Sequence, residues 1–324
     1  MRWSQVLSLI NGLLLSSNVA SAVIHQPVFS PYVDITLNTH WDSQTQDMEP
    51  MDLLGPAKQL GLKSYHAAFI TDSGQCQPAW GGQQAYSVAK HWGKREFDKL
   101  AANHVNMQVS FGGASGTDLS YSCDSKQLLA VFKDVIKHYH AETLDFDIEN
   151  GTANIPRIMD ALQLLVQENP DIHLSFTLPV MPEGLTSVGE DIVRAAKQKG
   201  LNFHVNIMAM DYGPVYAGDM GEYAISAATQ LHRFLQQLYP EQKSESIWEM
   251  VEVTPMIGVN DVNVEQFTLF NADQLRLFAQ SKHLGGLAMW SLTRDKPCAD
   301  LWASPVCSGN NLQSHDFEFV EHLL

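Results

Sequence analysis

Positive charge is what this chain has least of. Lysine and arginine number 20 against 36 aspartates and glutamates, a formal charge of −16. Nucleic-acid binders carry basic patches, so this balance argues against nucleic acid. It also fits poorly with an anionic membrane surface, and it leaves a neutral substrate fully compatible. Past residue 22 no apolar run is long enough to span a bilayer. There is no Pro/Ser-rich linker, charge run or low-complexity tract after that point.

Several chemistry-bearing motifs are also missing. No His-Glu-x-x-His pattern occurs, and the 13 histidines are scattered. His138 and His140 lie two apart on an expected helix and so point to different faces, a poor arrangement for ligating one metal. Gly113-Ala-Ser115-Gly-Thr117 ends in threonine and is not a nucleophile elbow. No phosphate-cradling Gly-Lys-Ser/Thr loop appears. None of the four cysteines sits in a C-x-x-C pair, which weakens zinc and thioredoxin-like readings. No cofactor and no metal are expected.

Residues 1–22 have the form of a secretory signal. Arg2 is a minimal basic start, Val6 to Leu15 is mostly apolar, and Ala20-Ser21-Ala22 is a small-residue cleavage site. The expectation is an exported, extracellular chain, a monomer, whose residues 23–324 form one domain. An even cysteine count in such a chain favours disulfides, with three connectivities open. Cys298–Cys307 as a short C-terminal staple and Cys76–Cys123 as a tie between loops are the expected pairs. Buried free thiols are the alternative.

What the chain has is alternation. Eight β-type apolar runs recur: Tyr32–Leu37, Ser64–Ile70, Met107–Phe111, Thr143–Ile148, His173–Leu178, His204–Met210, Val251–Ile257 and Gly286–Ser291. Helix-period segments such as Lys126–Tyr139, Asn154–Gln167, Val188–Lys199, Glu222–Leu238 and Asn271–Lys282 lie between them. Gly200 suits a helix C-terminus. Eight β/α alternations in 324 residues, with 45% hydrophobic content to fill a core, predict an α/β fold of the (β/α)8 TIM-barrel type. An open doubly wound sheet predicts fewer strands and a phosphate-binding glycine loop after the first. Here Tyr32–Leu37 is followed by Asn38-Thr39-His40-Trp41 instead.

The fourth run carries Asp145, Asp147 and Glu149 at alternate positions, with apolar Phe146 and Ile148 between them. On a strand the three carboxyls share one face, with neighbours about 7 Å apart. A barrel strand has that face buried, where stacked acids are costly. Such a cost points to a site. Active sites lie at the C-terminal ends of barrel strands, which puts Glu149 at the mouth, Asp147 one layer deeper and Asp145 deeper still.

These residues resemble glycoside hydrolase family 18, the chitinase family. Its Asp-x-Asp-x-Glu run matches Asp145-Phe-Asp147-Ile-Glu149, and its Ser-x-Gly-Gly motif matches Ser110-Phe-Gly112-Gly113. The strand-6 region Met208-Ala-Met210-Asp211-Tyr212-Gly213 and the strand-8 Trp290 match as well. The resemblance is nearest to the single-barrel bacterial and archaeal branch, through Pro78-Ala-Trp80-Gly-Gly82, Thr254-Pro-Met-Ile-Gly-Val-Asn-Asp261 and Met289-Trp-Ser-Leu-Thr-Arg-Asp295. It implies a retaining, substrate-assisted hydrolysis of β-1,4-linked N-acetylglucosamine in chitin or chito-oligosaccharides. Glu149 would be the acid and then the base, with a pKa above that of free glutamate. Asp147 would orient the acetamido group, and Asp145 would share a proton with Asp147. Tyr212 would donate a hydrogen bond to the acetamido oxygen. Trp290 would be the floor beneath the sugar, Met210 and Asp211 would line the site, and Gly112 and Gly113 would allow close backbone approach.

Trp41 and Trp80 are open between sugar platform and loop anchor. Glu142-Thr143 replaces the Asp-Gly pair that many family members carry before the acid run. Asn150-Gly151-Thr152 is a formal glycosylation sequon directly after Glu149, and the sequence assigns Asn150 no role. Rival activities are an endo-N-acetylglucosaminidase, a lysozyme-like hydrolase, or a chitin-binding lectin on an inactive barrel. The last typically lacks the terminal acid, which is present here.

Overall fold

A computed structural model describes residues 27–324 of the chain. The signal expected at 1–22 lies outside the described residues. Eight parallel strands form the barrel. The first, β1, is split into Val28–Phe29 and Tyr32–Asp34. The others are β2 (Ser64–Asp72), β3 (Asn106–Gly112), β4 (Ala141–Asp147), β5 (His173–Met181), β6 (His204–Ala209), β7 (Val251–Pro255) and β8 (Gly286–Leu287). Each pairs with its sequence neighbour. The two pieces of β1 close the ring. Val28–Phe29 pairs with β8 and Tyr32–Asp34 with β2.

All eight expected runs are strands, some shorter and some longer than expected, with ends that have local causes. After Asp34 the chain turns, because its carboxylate accepts from both the N–H and the hydroxyl of Thr36. β7 stops at Pro255, which has no N–H to donate to a ladder. β2 and β5 run to nine residues and are extended by short antiparallel partners, Pro78–Trp80 and Gly184–Leu185.

Helices α1 (Leu54–Leu60), α2 (Lys94–Ala102), α3 (Ser125–Tyr139), α4 (Ile155–Glu168), α5 (Ser187–Gln198), α6 (Met220–Leu238) and α7 (Leu269–Lys282) fill the seven connections, and α8 (Glu318–Leu323) follows the barrel. Local sequence explains their ends. Asp124 accepts from two backbone N–H groups at the start of α3 while Gln127 reaches back, a capping box. Gly200 stands just past α5 with φ +69°, the left-handed geometry that glycine adopts most easily.

The core follows the same periodicities. α3 buries Leu128, Phe132, Val135 and Tyr139, one stripe at helical spacing. Phe132 meets Phe146 of β4 with ring centroids 5.3 Å apart, and Phe146 stacks on Phe111 of β3 at 5.6 Å. Phe146 therefore faces the helices, and its neighbours Asp145 and Asp147 face the barrel interior. Both expected disulfides are formed, Cys76–Cys123 and Cys298–Cys307. No helix among the described residues is long and apolar enough to cross a membrane.

Candidate active site

Asp145 is fully buried and satisfied by hydroxyls from three strands. Ser110 of β3 donates to its Oδ2 at 2.6 Å, Tyr32 of β1 to the same oxygen at 2.9 Å, and Thr177 of β5 to Oδ1 at 2.7 Å. Asn206 of β6 supports the layer, donating to the Tyr32 hydroxyl at 3.1 Å and to Thr177 at 3.0 Å, while Thr254 of β7 donates to Asn206 at 2.8 Å. Six strands thus contribute to one polar layer across the barrel. Burial pushes the Asp145 carboxyl above its usual range, and the three hydroxyl donors pull it back down.

Asp147 lies one layer nearer the mouth and is also buried. Burial, then the charges of Glu149 and Asp145, hold its carboxyl well above the ordinary aspartate range. Its Oδ1 has no hydrogen-bond partner. Both Asp145 oxygens already accept from hydroxyls, Oδ2 from Ser110 and Tyr32 and Oδ1 from Thr177. Glu149 is half-buried at the mouth. Burial raises its pKa first, the neighbouring Asp147 carboxyl opposes the rise, and Asp211 and Asp261 add to it.

Above these acids is an open cleft. Trp290 and Phe69 form one wall, stacked with centroids 5.6 Å apart and 24° between planes, and Tyr32 lies 6.0 Å from Trp290. Met208, Met210 and Met256 make the other apolar surfaces. Asp147, Glu149, Asp211 and Asp261 bring four carboxyls to the lining, and no lysine or arginine joins them. Such a lining suits a neutral ligand with an apolar face and repels an anion.

The expected lining residues Trp290, Met210 and Asp211 are on this cleft, with Glu149 and Asp147. Tyr212 is not. Its ring packs against Tyr216 at 5.8 Å and Tyr223 at 6.1 Å, and its hydroxyl is buried without a partner. Asp211 explains the displacement. Its φ of +52° reverses the chain just past β6, so strand alternation no longer predicts where the next side chain points. Burial raises the Tyr212 hydroxyl far above its ordinary value. Glu265, fully buried, holds the same turn by accepting from the N–H groups of Tyr212 and Gly213 at 3.2 and 2.7 Å.

Gly112 and Gly113 act behind the cleft wall. A Cβ at Gly112, where φ is +96°, would lie 2.1 Å from the Asp147 carbonyl oxygen, and one at Gly113 would meet the Phe69 ring at 2.9 Å. They allow β3 and Phe69 to close on the acid strand. Asn150 has a structural role. Its Nδ2 donates to the carbonyls of Gly113 at 2.8 Å and Gly116 at 3.3 Å, and its Oδ1 accepts from Thr152. Trp80 is a loop anchor, fully buried against Phe97 and Tyr139. Trp41 stands 63% exposed on the hairpin His40–Asp42/Asp47–Glu49.

Sequence reasoning missed Tyr32, Phe69, Thr177 and Asp261 as site residues. Tyr32 and Thr177 are at inward positions of recognised strands, which was a usable signal. Phe69 and Asp261 lie where β2 and the loop after β7 approach the mouth, and only the assembled barrel places them there.

No family model matches the chain. It is similar to catalytic-site mutants of active domain 2 of the thermostable chitinase from Pyrococcus furiosus, solved with chito-oligosaccharides. That match has 35% identity and a TM-score of 0.81, and covers 92% of this chain and 94% of that one. Endochitinase 11 of Metarhizium anisopliae is 33% identical over 293 residues, 84% of this chain and 53% of that protein. The probable bifunctional chitinase/lysozyme of Escherichia coli (strain K12) is 32% identical over 290 residues, 83% of this chain and 31% of that protein. The chain spans about half the length of the first of these curated relatives and about a third of the second.

Proposed function

The chain belongs to the glycoside hydrolase family 18 chitinases, and from that membership and the cleft we propose that it hydrolyses β-1,4 bonds between N-acetylglucosamine units with retention of configuration. One observation carries the reading. A buried Asp147 has an unpartnered Oδ1 and lines the same cleft as Glu149, under an aromatic wall that suits the face of a sugar ring.

In this reading the sugar sits against Trp290, and its 2-acetamido N–H donates to the open Oδ1 of Asp147. Its acetamido oxygen is then held for attack on C1. The C1–O bond breaks as Glu149 transfers its proton to the leaving oxygen, and an oxazolinium forms. Glu149, now a carboxylate, takes a proton from the incoming water, which opens the oxazolinium and restores the acid. Asp147 stabilises the positive charge on the intermediate. Ser110, Tyr32 and Thr177 keep Asp145 as a fixed negative charge beneath it. Tyr212 is given no direct contact, because its hydroxyl is buried away from the cleft.

The relative from Escherichia coli carries lysozyme in its name. A muramyl sugar bears a lactyl carboxylate, for which an acidic lining without lysine or arginine offers no counter-charge, so chitin oligomers are favoured over peptidoglycan. Export is part of the same proposal, supported by the signal-like residues 1–22 and by two disulfides. The mature N-terminus from a secreting host tests it.

Glu149→Gln keeps the shape and removes the transferable proton. Turnover of chitin oligomers should fall by about 10²–10⁴-fold or more while oligomer binding persists. A Glu149→Gln protein with wild-type turnover would sink the mechanism.

A further inference from the structure

We propose that His91, Asp134 and His138 form a binding site for a divalent transition-metal ion, zinc first among them, on the helical ring of the barrel. None of the three lines the cleft above the acids. They are 47 residues apart at the extremes and converge only in the folded chain.

The donor atoms come from two rigid elements. Asp134 and His138 are one turn apart on α3, an i,i+4 pair facing the same way. His91 lies at the end of the short 3-10 helix Val88–Lys90. It is held in a left-handed turn, φ 55°, by its N–H donating to the Val88 carbonyl at 2.8 Å. The next residue is fixed as well: the Trp92 carbonyl accepts from the Tyr139 hydroxyl at the end of α3, 3.1 Å, and its ring stacks on Tyr86 at 4.1 Å.

The spacing fits one ion. His138 Nδ1 is 2.9 Å and His91 Nε2 is 3.8 Å from Asp134 Oδ1, and the three ligand atoms all lie within 4.8 Å of one another. Zinc bonds of 2.0–2.1 Å in a tetrahedron put neighbouring ligand atoms about 3.3 Å apart, between the two observed distances. All three residues are half-buried, which leaves a fourth position open to solvent.

The histidines have no competing occupation. Neither imidazole has another side-chain hydrogen bond among the described residues. His138 Nδ1 is buried and faces the Asp134 carboxylate closely, yet off hydrogen-bond geometry. The two rings approach to 3.8 Å between centroids. Asp134 pairs with these two histidines and with no lysine or arginine among the described residues. Lys133 beside it is engaged by Glu168. Two imidazoles and one carboxylate form the borderline donor set that favours zinc, nickel or copper over magnesium and calcium. A bound ion would tie the segment between the Trp80 hairpin and α2 to α3.

The test uses the tag-free chain, stripped of metal with a chelator and titrated with zinc chloride by calorimetry at neutral pH. One equivalent should bind, and at a hundredfold excess over Kd the folding equilibrium should shift by about a hundredfold, read as a rise in Tm. His91→Gln and His138→Gln should each weaken binding by about tenfold or more. Cobalt(II) should show the visible bands of a tetrahedral site, and magnesium chloride should give neither heat nor a Tm shift. Circular dichroism of the metal-free variants checks folding. Absence of binding at millimolar zinc, or affinity unchanged in the His91→Gln/His138→Gln protein, would overturn the site and leave a His–Asp–His contact that merely holds the loop.

Discussion

Ser110→Ala is the cleanest perturbation of the buried acid layer. Ser110 and Asp145 are both 0% exposed, and the serine's one side-chain hydrogen bond is the 2.6 Å donation to Asp145 Oδ2. Alanine removes that donor and leaves a void of a single oxygen. The Tyr32 and Thr177 hydroxyls remain, so Asp145 keeps two of its three donors. A hydrogen bond to a charged group is worth about 1.5–3 kcal/mol, which corresponds to an upward shift of roughly one to two pKa units in Asp145. The sign follows from which form the serine favours. Its hydroxyl stabilises the carboxylate, so its contribution is present above the Asp145 pKa and fades as pH falls through it. Urea unfolding should show Ser110→Ala destabilised by about 2 kcal/mol at pH 7.5 and by clearly less at pH 4.5. Ser226→Ala supplies the comparison. It breaks a 2.8 Å bond from a neutral hydroxyl to the Pro182 carbonyl, so its smaller cost should not depend on pH. An equal cost for Ser110→Ala at both pH values would refute the assignment of Asp145 as the charge held by this layer.

Glu149→Gln should be more stable than the wild type at pH 7.5, by roughly 1–3 °C in Tm. Folding raises the Glu149 pKa, so the wild type loses stability as pH climbs from the unfolded value, about 4.3, through the folded one. The advantage of the glutamine should therefore vanish near pH 4, and an advantage constant across pH would contradict the burial argument. Loss of the two disulfides should differ by loop length. Cys76–Cys123 closes a separation of 47 residues and Cys298–Cys307 one of 9. The chain-entropy relation gives about 4 and about 2.6 kcal/mol, so Cys→Ser pairs measured by chemical unfolding should rank in that order.

Much of the fold could be read from the sequence because its signals are local. Eight apolar runs and the stripes between them name the strands and helices without any knowledge of which strands are neighbours. Asp145, Asp147 and Glu149 were equally legible, since alternation on one strand fixes their common face. Alternation does not extend to Tyr212, the residue directly after a left-handed Asp211. Phe69 of β2 and Asp261 of the loop after β7 depend on how separate segments converge at the mouth. His91 meets His138 only because α3 packs beside the Val88–Lys90 turn. The hydroxyls that occupy Asp145 were also hidden, because they come from β1, β3 and β5.

The central claim is that the substrate's own acetamido group is the nucleophile, oriented by Asp147 while Glu149 moves the proton. Proton NMR of the first product released from a chitin oligomer tests it most directly. The account predicts that the β-anomer appears first and only later mutarotates. An initial α-anomer would mean direct attack by water and would contradict it.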